Sequence, residues 1–393
     1  MRVLVLGAAG MQGRVAVWDL LRSEPVREVI AVDLRPGGLR SLSTNQTSAP
    51  QLKLVELDAA DPAELAALLA ASRPDVVIDL LPSRLLGQVA KAAIGAGCNL
   101  VNTMYGHQLP AEIGAAAAAA GVTIVPEAGL DPGIDLVLCG HGANQLDTVT
   151  ELHSWCGGIP TPDAADNPLK YRVSWSWEGV LDSYARPAVI VRDGEVIGIP
   201  AEDQHAKQWV GTVDFPGVGR LEVIPNGDAL VFTDLLGVTA TVRDTTRGTY
   251  RWPGHSAFWR ALTELGFLSD EPVPGLSGGV SPREFLNKHL APRLGYGPYQ
   301  RDMVVMRVVV GGLRSGRRLR LVYELVDRRD LSTGFTAMSR TVGFAASIVA
   351  QMVAGGEVHG AGLLTAVRDI PPRPFLDRLG RRGITVRETA QHP

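Results

Sequence analysis

The sequence predicts an α/β protein: a doubly wound parallel sheet with an inserted mixed α+β domain. Three observations carry this. The first 125 residues alternate short β-branched runs with longer helical patterns. A glycine-spaced turn joins the first apolar run to the first helical one. Beyond Leu146 the pattern changes to alternating runs punctuated by glycine and proline.

Strands are predicted at Val3–Leu6, Glu28–Asp33, Leu52–Glu56, Asp75–Asp79, Asn99–Val101 and Thr123–Val125. Helices are predicted between several of them, at Gly10–Ser23, Pro62–Ala71, Leu85–Ala96 and Leu109–Ala120. Regular β-α alternation requires crossover helices and hence parallel strands. The alanine run Ala115–Ala120 is low in complexity but is the best helix former available. Further on, Tyr171–Trp177 and Ala188–Ile197 alternate as strands do. Met303–Val310 and Arg318–Leu325 flank a glycine-rich turn and read as an antiparallel hairpin. Arg340–Val353 is helical and apolar nearly all round, which predicts a buried helix. The expected division is a first domain over 1–130, a mixed α+β domain over 131–335, and a helical segment over 336–393 returning to the first domain.

Composition narrows the function classes. A net charge of −3 argues against nucleic-acid binding, which needs a basic footprint. The three cysteines, Cys98, Cys139 and Cys156, are far apart and form no C-x-x-C, so a reducing cytoplasm is expected and Cys156 reads as a buried structural thiol. Neither a signal peptide nor a run of about 18 apolar residues is found, so no membrane partner is expected. No metal-ligand spacing or G-x-S-x-G nucleophile turn occurs, so no metal is expected.

The chemistry-bearing signal comes first in the chain. Val3–Leu6 runs into Gly7-Ala8-Ala9-Gly10-Met11-Gln12-Gly13 and then into a helical pattern. Gly7 suits the tight turn, Gly10 allows backbone to approach a pyrophosphate, and Gly13 lets helix and strand pack closely. The helix N-terminus offers unpaired N–H groups to the phosphates, and Ala9, Met11 and Gln12 complete the loop. This spacing, G-x-x-G-x-x-G, is a variant of the Rossmann-type dinucleotide fingerprint. The second strand ends at Asp33, twenty residues beyond Gly13, where a carboxylate accepts from a ribose 2′-hydroxyl. Asp33 favours NAD over NADP because it opposes a 2′-phosphate; Arg35 works the other way. Asp58, Leu81 and Leu130 complete the expected cofactor contacts.

Three later blocks are specific: Gly129-Leu130-Asp131-Pro132-Gly133-Ile134-Asp135, Cys156-Gly157-Gly158-Ile159-Pro160, and Asn167-Pro168-Leu169-Lys170-Tyr171 through Ser176. With Thr249–His255 (T-Y-R-W-P-G-H) and the helical stretch from Met338, they give a chain that resembles the saccharopine dehydrogenase family over nearly its whole length. The resemblance implies hydride transfer between a nicotinamide and a C–N carbon, followed by hydrolysis of the imine. It also implies an inserted substrate domain, an amino-acid substrate, and catalysis in the cleft between domains. A homodimer is expected.

Candidate roles follow. Asp131, just past the sixth strand, is a candidate to hold the substrate amine or to move its proton. Its competing role is an N-cap for a helix opening at Pro132. Glu127 is a candidate acid or base, and Asp135 reads as a favourable first-turn charge. By the resemblance, Tyr105 lies near the nicotinamide and Arg251 binds the substrate carboxylate. Tyr171, Asn167 and Lys170 belong to the substrate motif, with Tyr171 favoured over Lys170 as a site residue. His255 is as fit to cap a helix as to touch ligand.

One departure steers the expected substrate. The family's reductases show P-N-R-D where this chain has Pro225-Asn226-Gly227-Asp228, and Met104 replaces a serine. Without that arginine, a substrate with several carboxylates leaves charge unpaired. The leading expectation is therefore NAD-dependent L-lysine 6-dehydrogenase, giving allysine, its cyclised piperideine-6-carboxylate, and ammonia. The alternatives are the glutamate-forming saccharopine reductase and a non-catalytic dinucleotide-sensing or scaffold protein.

Overall fold

The computed structural model describes residues 1–42, 50–275 and 277–392. They form two compact units, Met1–His141 with Ser339–Thr385, and Gly142–Met338 with Val386–Pro393.

The first unit carries strands β1 (Arg2–Leu6), β2 (Glu28–Asp33), β3 (Gln51–Glu56), β4 (Val76–Asp79), β5 (Asn99–Asn102) and β6 (Thr123–Val125). Helices α1 (Met11–Leu20), α2 (Pro62–Ser72), α3 (Leu86–Ala96), α4 (Glu112–Ala119) and α5 (Ile134–Ala143) alternate with them or follow them. The strand order is β6-β5-β4-β1-β2-β3, with a short strand Gly362–Leu363 beyond β6, and all pairings are parallel. This is the predicted doubly wound sheet, whose strand order reverses between β1 and β4. Val3 to Leu6 are wholly buried, as a central parallel strand covered on both faces must be. Asp61 caps α2 by accepting from the Ala63 and Glu64 N–H groups, and Pro62 fills the first helical turn. The fourth helix is shorter than predicted, because Gly106–Gln108 forms a 3-10 turn ahead of Pro110 and helix begins only at Glu112.

The helix Ala337–Ala354 begins three residues before the predicted Arg340. Gly343 lets it approach α1: a Cβ there would lie 2.6 Å from the Gln12 carbonyl oxygen. Asp19 of α1 accepts from the Ser347 hydroxyl at 2.6 Å and from Arg382 at 2.7 Å through both oxygens. This ties the C-terminal segment to the far end of α1. The helix is long and apolar enough to span a bilayer by length and composition alone, with 72% of that window buried within the fold, as in the buried helix predicted from its pattern.

The second unit is built on a mixed sheet. Its strands are β7 (Thr148–Pro160), β8 (Ala188–Arg192), β9 (Glu195–Ile199), β10 (Gly211–Phe215), β11 (Gly219–Pro225), β12 (Asp244–Arg251), β13 (Asp302–Arg314) and β14 (Arg317–Arg328). The order is β10-β11-β12-β7-β13-β14, closed by Val386–Gln391. The β12–β7 pair is parallel and its other neighbours are antiparallel. The β13–β14 hairpin turns on Ser315-Gly316, both at positive φ, the geometry a two-residue hairpin turn requires. Helices α6 (Trp177–Tyr184), α7 (Leu230–Leu236), α8 (His255–Glu264) and α9 (Pro282–Leu290) complete the unit.

Several expectations need correction. Tyr171–Trp177 is not a strand: residues 171–176 run as irregular chain, and α6 starts at Trp177, where the Ser176 hydroxyl accepts from the Gly179 N–H. The alternation there reflects burial around Tyr171 and Trp177. Ala188–Ile197 is two strands, because Asp193-Gly194 turns the chain back. Residues 131–141 belong with the first unit, since α5 grows directly out of the loop after β6. Residues 386–393 belong with the second, because Val386–Gln391 satisfies the outer edge of β14. The three cysteines are buried, and none is in a disulfide.

Candidate active site

The glycine loop is built as its spacing predicts. Gly7 sits at φ +72°, and a Cβ there would lie 2.9 Å from the Leu80 carbonyl oxygen on the turn after β4. A Cβ at Gly13 would overlap the Gly7 carbonyl, so only glycine brings α1 this close to β1. Gly10 precedes α1 with no side-chain cap, and no carboxylate sits in its first turn. The first N–H groups of α1 are therefore not consumed by capping side chains, the arrangement that accepts a pyrophosphate. Ala9, Met11 and Gln12 lie along this loop, with Met11 exposed.

Asp33 does more than its spacing suggested. One carboxylate oxygen accepts from the Ala9 N–H at 2.9 Å, the other from the Arg35 N–H at 3.1 Å. It holds the glycine loop to the end of β2, while each oxygen keeps a further lone pair. Leu81 is half-buried after β4, and its N–H donates to Asp79 at 3.0 Å. Asp58 is exposed two residues beyond β3, where its carboxylate accepts from the Ala60 N–H at 2.9 Å in the turn before α2. Leu130 is buried in the loop between β6 and α5.

The first unit also carries the candidate acids, beyond the ends of β5 and β6. The Tyr105 hydroxyl donates to Asp131 at 3.0 Å. Both residues are partly buried, and each follows the carboxyl end of a strand, where open α/β sheets bind ligands. Asp131 is not the helix cap: α5 begins at Ile134, and the buried Asp135 carboxylate accepts from the Gly133 N–H at 2.8 Å. Glu127 is buried at 2% exposure, with positive φ. It accepts from the Gly106 N–H at 3.0 Å, the Thr365 hydroxyl at 3.1 Å and the Ala366 N–H at 3.3 Å. Burial pushes its carboxyl above the ordinary value against these donors. Its oxygens tether the Tyr105 loop to the C-terminal segment.

In the second unit, Arg251 closes β12 and is 4% exposed, so it is no surface arginine. Its Nε donates to the Tyr184 hydroxyl at 2.9 Å and its Nη1 to the Tyr250 carbonyl at 2.9 Å. Its guanidinium lies 5.0 Å from the centre of the Tyr171 ring. Burial works against this charge, but Tyr184 and Tyr171 outweigh it and raise the pKa above the usual arginine value. Tyr171 is fully buried, which pushes its hydroxyl up to about 12. Asn167 supports Tyr171, donating to its carbonyl at 2.8 Å. Lys170 is exposed and donates to the Pro253 carbonyl at 3.0 Å. Tyr171 and Arg251 are thus brought together, while Asn167 and Lys170 engage backbone.

Residues without a sequence signal cluster with Arg251: Tyr184, which bonds it, His205 and Trp259, which pack on Tyr184, and His255, to which the sequence gave no preference. The Tyr184 hydroxyl meets His255 Nε2 at 2.7 Å, and His205 packs edge-on to Tyr184 at 4.8 Å. Burial, with the Arg251 charge adding to it, holds both histidines below the usual range, His205 down to about 3. Both are neutral. No periodic pattern marks them, because they come from a turn and two helix ends that meet only in the fold.

The expectation drawn from Gly227 also changes. Gly227 sits at φ +71°, and a Cβ there would lie 2.9 Å from Arg247 Nη1 and 3.8 Å from the Arg186 guanidinium. Arg186 donates to Asn226 at 2.7 Å. The positive charge missing at position 227 is supplied from two other places in the chain.

Comparison with known proteins agrees with this architecture. The family model described as the saccharopine dehydrogenase NADP binding domain matches residues 3–125. The one described as the saccharopine dehydrogenase C-terminal domain matches residues 129–384. The mitochondrial alpha-aminoadipic semialdehyde synthase of Mus musculus is 29% identical over 98% of this chain and 47% of its own length. The chain spans about half the length of that relative and of its Bos taurus counterpart. The Saccharomyces cerevisiae saccharopine dehydrogenase [NADP(+), L-glutamate-forming] is 26% identical over 98% of each chain. A solved apo structure of saccharopine dehydrogenase (L-Glu forming) from that yeast superposes with a TM-score of 0.82 at 26% identity, covering 99% of each chain. With a matched region exceeding half its length, the chain belongs to the saccharopine dehydrogenase family.

Proposed function

We propose that this chain is a nicotinamide-dependent oxidoreductase of lysine degradation, acting on a C–N bond in the manner of saccharopine reductase. The names carried by its yeast and mouse relatives support this reading. The observation that carries it is the set of arginines near Gly227. The lysine 6-dehydrogenase reading rested on a missing guanidinium, and Arg186 and Arg247 bring positive charge to that place. Arg247 and Arg251 occupy alternate positions of β12 and share one face. They are four positions apart, roughly 13 Å of extended strand. A secondary amine with carboxylates at both ends engages two such stations, whereas lysine engages one.

In this reading saccharopine loses a hydride from the carbon beside its secondary amine. A bound nicotinamide supplies the hydride acceptor. The resulting imine takes up water and separates into glutamate and the aminoadipate semialdehyde, and one proton is released. Asp131, fixed by the Tyr105 hydroxyl, is the group to take the amine proton. Glu127 holds the Tyr105 loop in place. Arg251 binds a substrate carboxylate through a buried guanidinium. For the cofactor, Asp33 supports NAD, while the NADP(+) of the relatives' names and the exposed Arg35 support NADP.

The test is reduced-nicotinamide formation by the purified chain with saccharopine or L-lysine, each with NAD and NADP. Turnover with saccharopine and none with lysine is the expected result. Turnover with lysine alone restores the 6-dehydrogenase reading. Cofactor binding without turnover on either substrate supports the sensing reading.

A further inference from the structure

The buried cluster around Arg251 holds more hydrogen-bonding capacity than the protein consumes. A carbonyl oxygen only accepts, so the contact of His255 Nδ1 with the Leu169 carbonyl at 2.9 Å places the proton on Nδ1. In the neutral ring Nε2 is then an acceptor, and the Tyr184 hydroxyl must donate to it. The same hydroxyl oxygen accepts from Arg251 Nε. Every proton in the chain Arg251–Tyr184–His255–Leu169 is therefore assigned, and this chain fixes the guanidinium.

His205 is the imidazole left over. It is 2% exposed, and neither ring nitrogen has a hydrogen-bond partner. The Trp177 and Trp259 indole nitrogens are also buried without partners. Such groups are rare in folded chains, and an unpartnered imidazole packed on the tyrosine that holds a buried cation marks a place built for a polar ligand. A neutral imidazole brings one N–H donor and one lone pair. Arg251 has spent Nε and Nη1 on Tyr184 and Tyr250, and Nη2 remains for an incoming oxygen. A second cation here would repel the buried guanidinium, so the matching group is an anion.

We propose that His205 is a specificity-determining residue, donating from its neutral imidazole to the substrate carboxylate held by Arg251. This rests on the C–N oxidoreductase reading above. It adds a second donor to the carboxylate station and ties substrate affinity to a residue outside every sequence motif.

The test compares wild type with His205→Leu, His205→Phe and His205→Asn. Glutarate and saccharopine binding are followed by indole fluorescence, since Trp259 lies 5.0 Å from the Tyr184 ring. KM and kcat for saccharopine are measured in parallel. The Leu and Phe variants should raise Kd and KM about tenfold with kcat nearly unchanged, the scale of one lost hydrogen bond to a charged group. The Asn variant, which keeps an N–H donor, should recover most of that loss. Phe keeps the ring packing on Tyr184 and serves if Leu prevents folding. Unchanged binding in the Leu or Phe variant, no binding of either ligand to wild type, or an Asn variant as weak as Leu at equal Tm overturns the proposal. Glutarate binding that depends on His205 in a chain that does not turn over saccharopine would refute the reaction and leave this inference standing. Normal turnover with a His205-independent KM would do the reverse.

Discussion

Replacing Asp33 by Asn tests the nucleotide site at the point where sequence and structure assign different tasks to one side chain. The carboxylate accepts from the Ala9 N–H at 2.9 Å and the Arg35 N–H at 3.1 Å. An amide of the same shape has one acceptor oxygen, so its NH2 must face one of these two donors. One charge-assisted hydrogen bond is lost, a loss of about 1.5–3 kcal/mol in the ordered loop. If the loop must be ordered to bind a pyrophosphate, the Kd for NAD rises roughly 10- to 150-fold. A second effect acts on NADP alone: the charge that opposes a 2′-phosphate is gone, which offsets part of the loop penalty. The ratio of Kd values should thus move toward NADP. Titration of parent and variant with both reduced cofactors, read by nicotinamide fluorescence, checks both parts. Kd values unchanged for both cofactors would refute the tether, and an unchanged ratio would refute the role of Asp33 in cofactor choice.

Two further predictions follow from single hydrogen bonds and a single buried charge. Tyr105→Phe removes the hydroxyl that donates to Asp131 at 3.0 Å, so kcat should fall at least tenfold with Tm unchanged. A kcat within twofold of the parent would take this pair out of the chemistry. Asp79 is 4% exposed, and burial raises its pKa from 3.8 to about 7, partly opposed by the Leu81 N–H. A raised carboxyl pKa means the folded state holds the proton more tightly, so stability falls as pH rises from about 4 to about 7. The isosteric neutral Asp79→Asn should match the parent near pH 4 and exceed it by up to about 4 kcal/mol at pH 8. Melting curves across that range test it, and a Tm gap that does not widen with pH contradicts the burial argument.

The first sheet was legible because its signals are local. Short β-branched runs and glycines at set spacing are properties of neighbouring residues, and they predicted six parallel strands and the loop at Gly7–Gly13. The loop's third glycine is demanded by atoms six residues away, which places it within reach of a motif. Tyr105 and Asp131 lay after strand ends, and strand ends point to ligands in such folds. Tyr171–Trp177 was misread because alternating burial of two large rings imitates a strand when their surroundings are unknown.

By itself, then, the sequence determined the doubly wound sheet, the nucleotide loop and the family to which the chain belongs. Only the tertiary structure decided where charge collects in the second unit. Arg186 and Arg247 reach the place left open at Gly227, and His205, Tyr184 and His255 enclose Arg251, across separations of up to 67 residues. Periodicity and spacing report what lies within a few residues along the chain. Electrostatic and hydrogen-bonding partners are chosen by distance in space, which packing alone establishes.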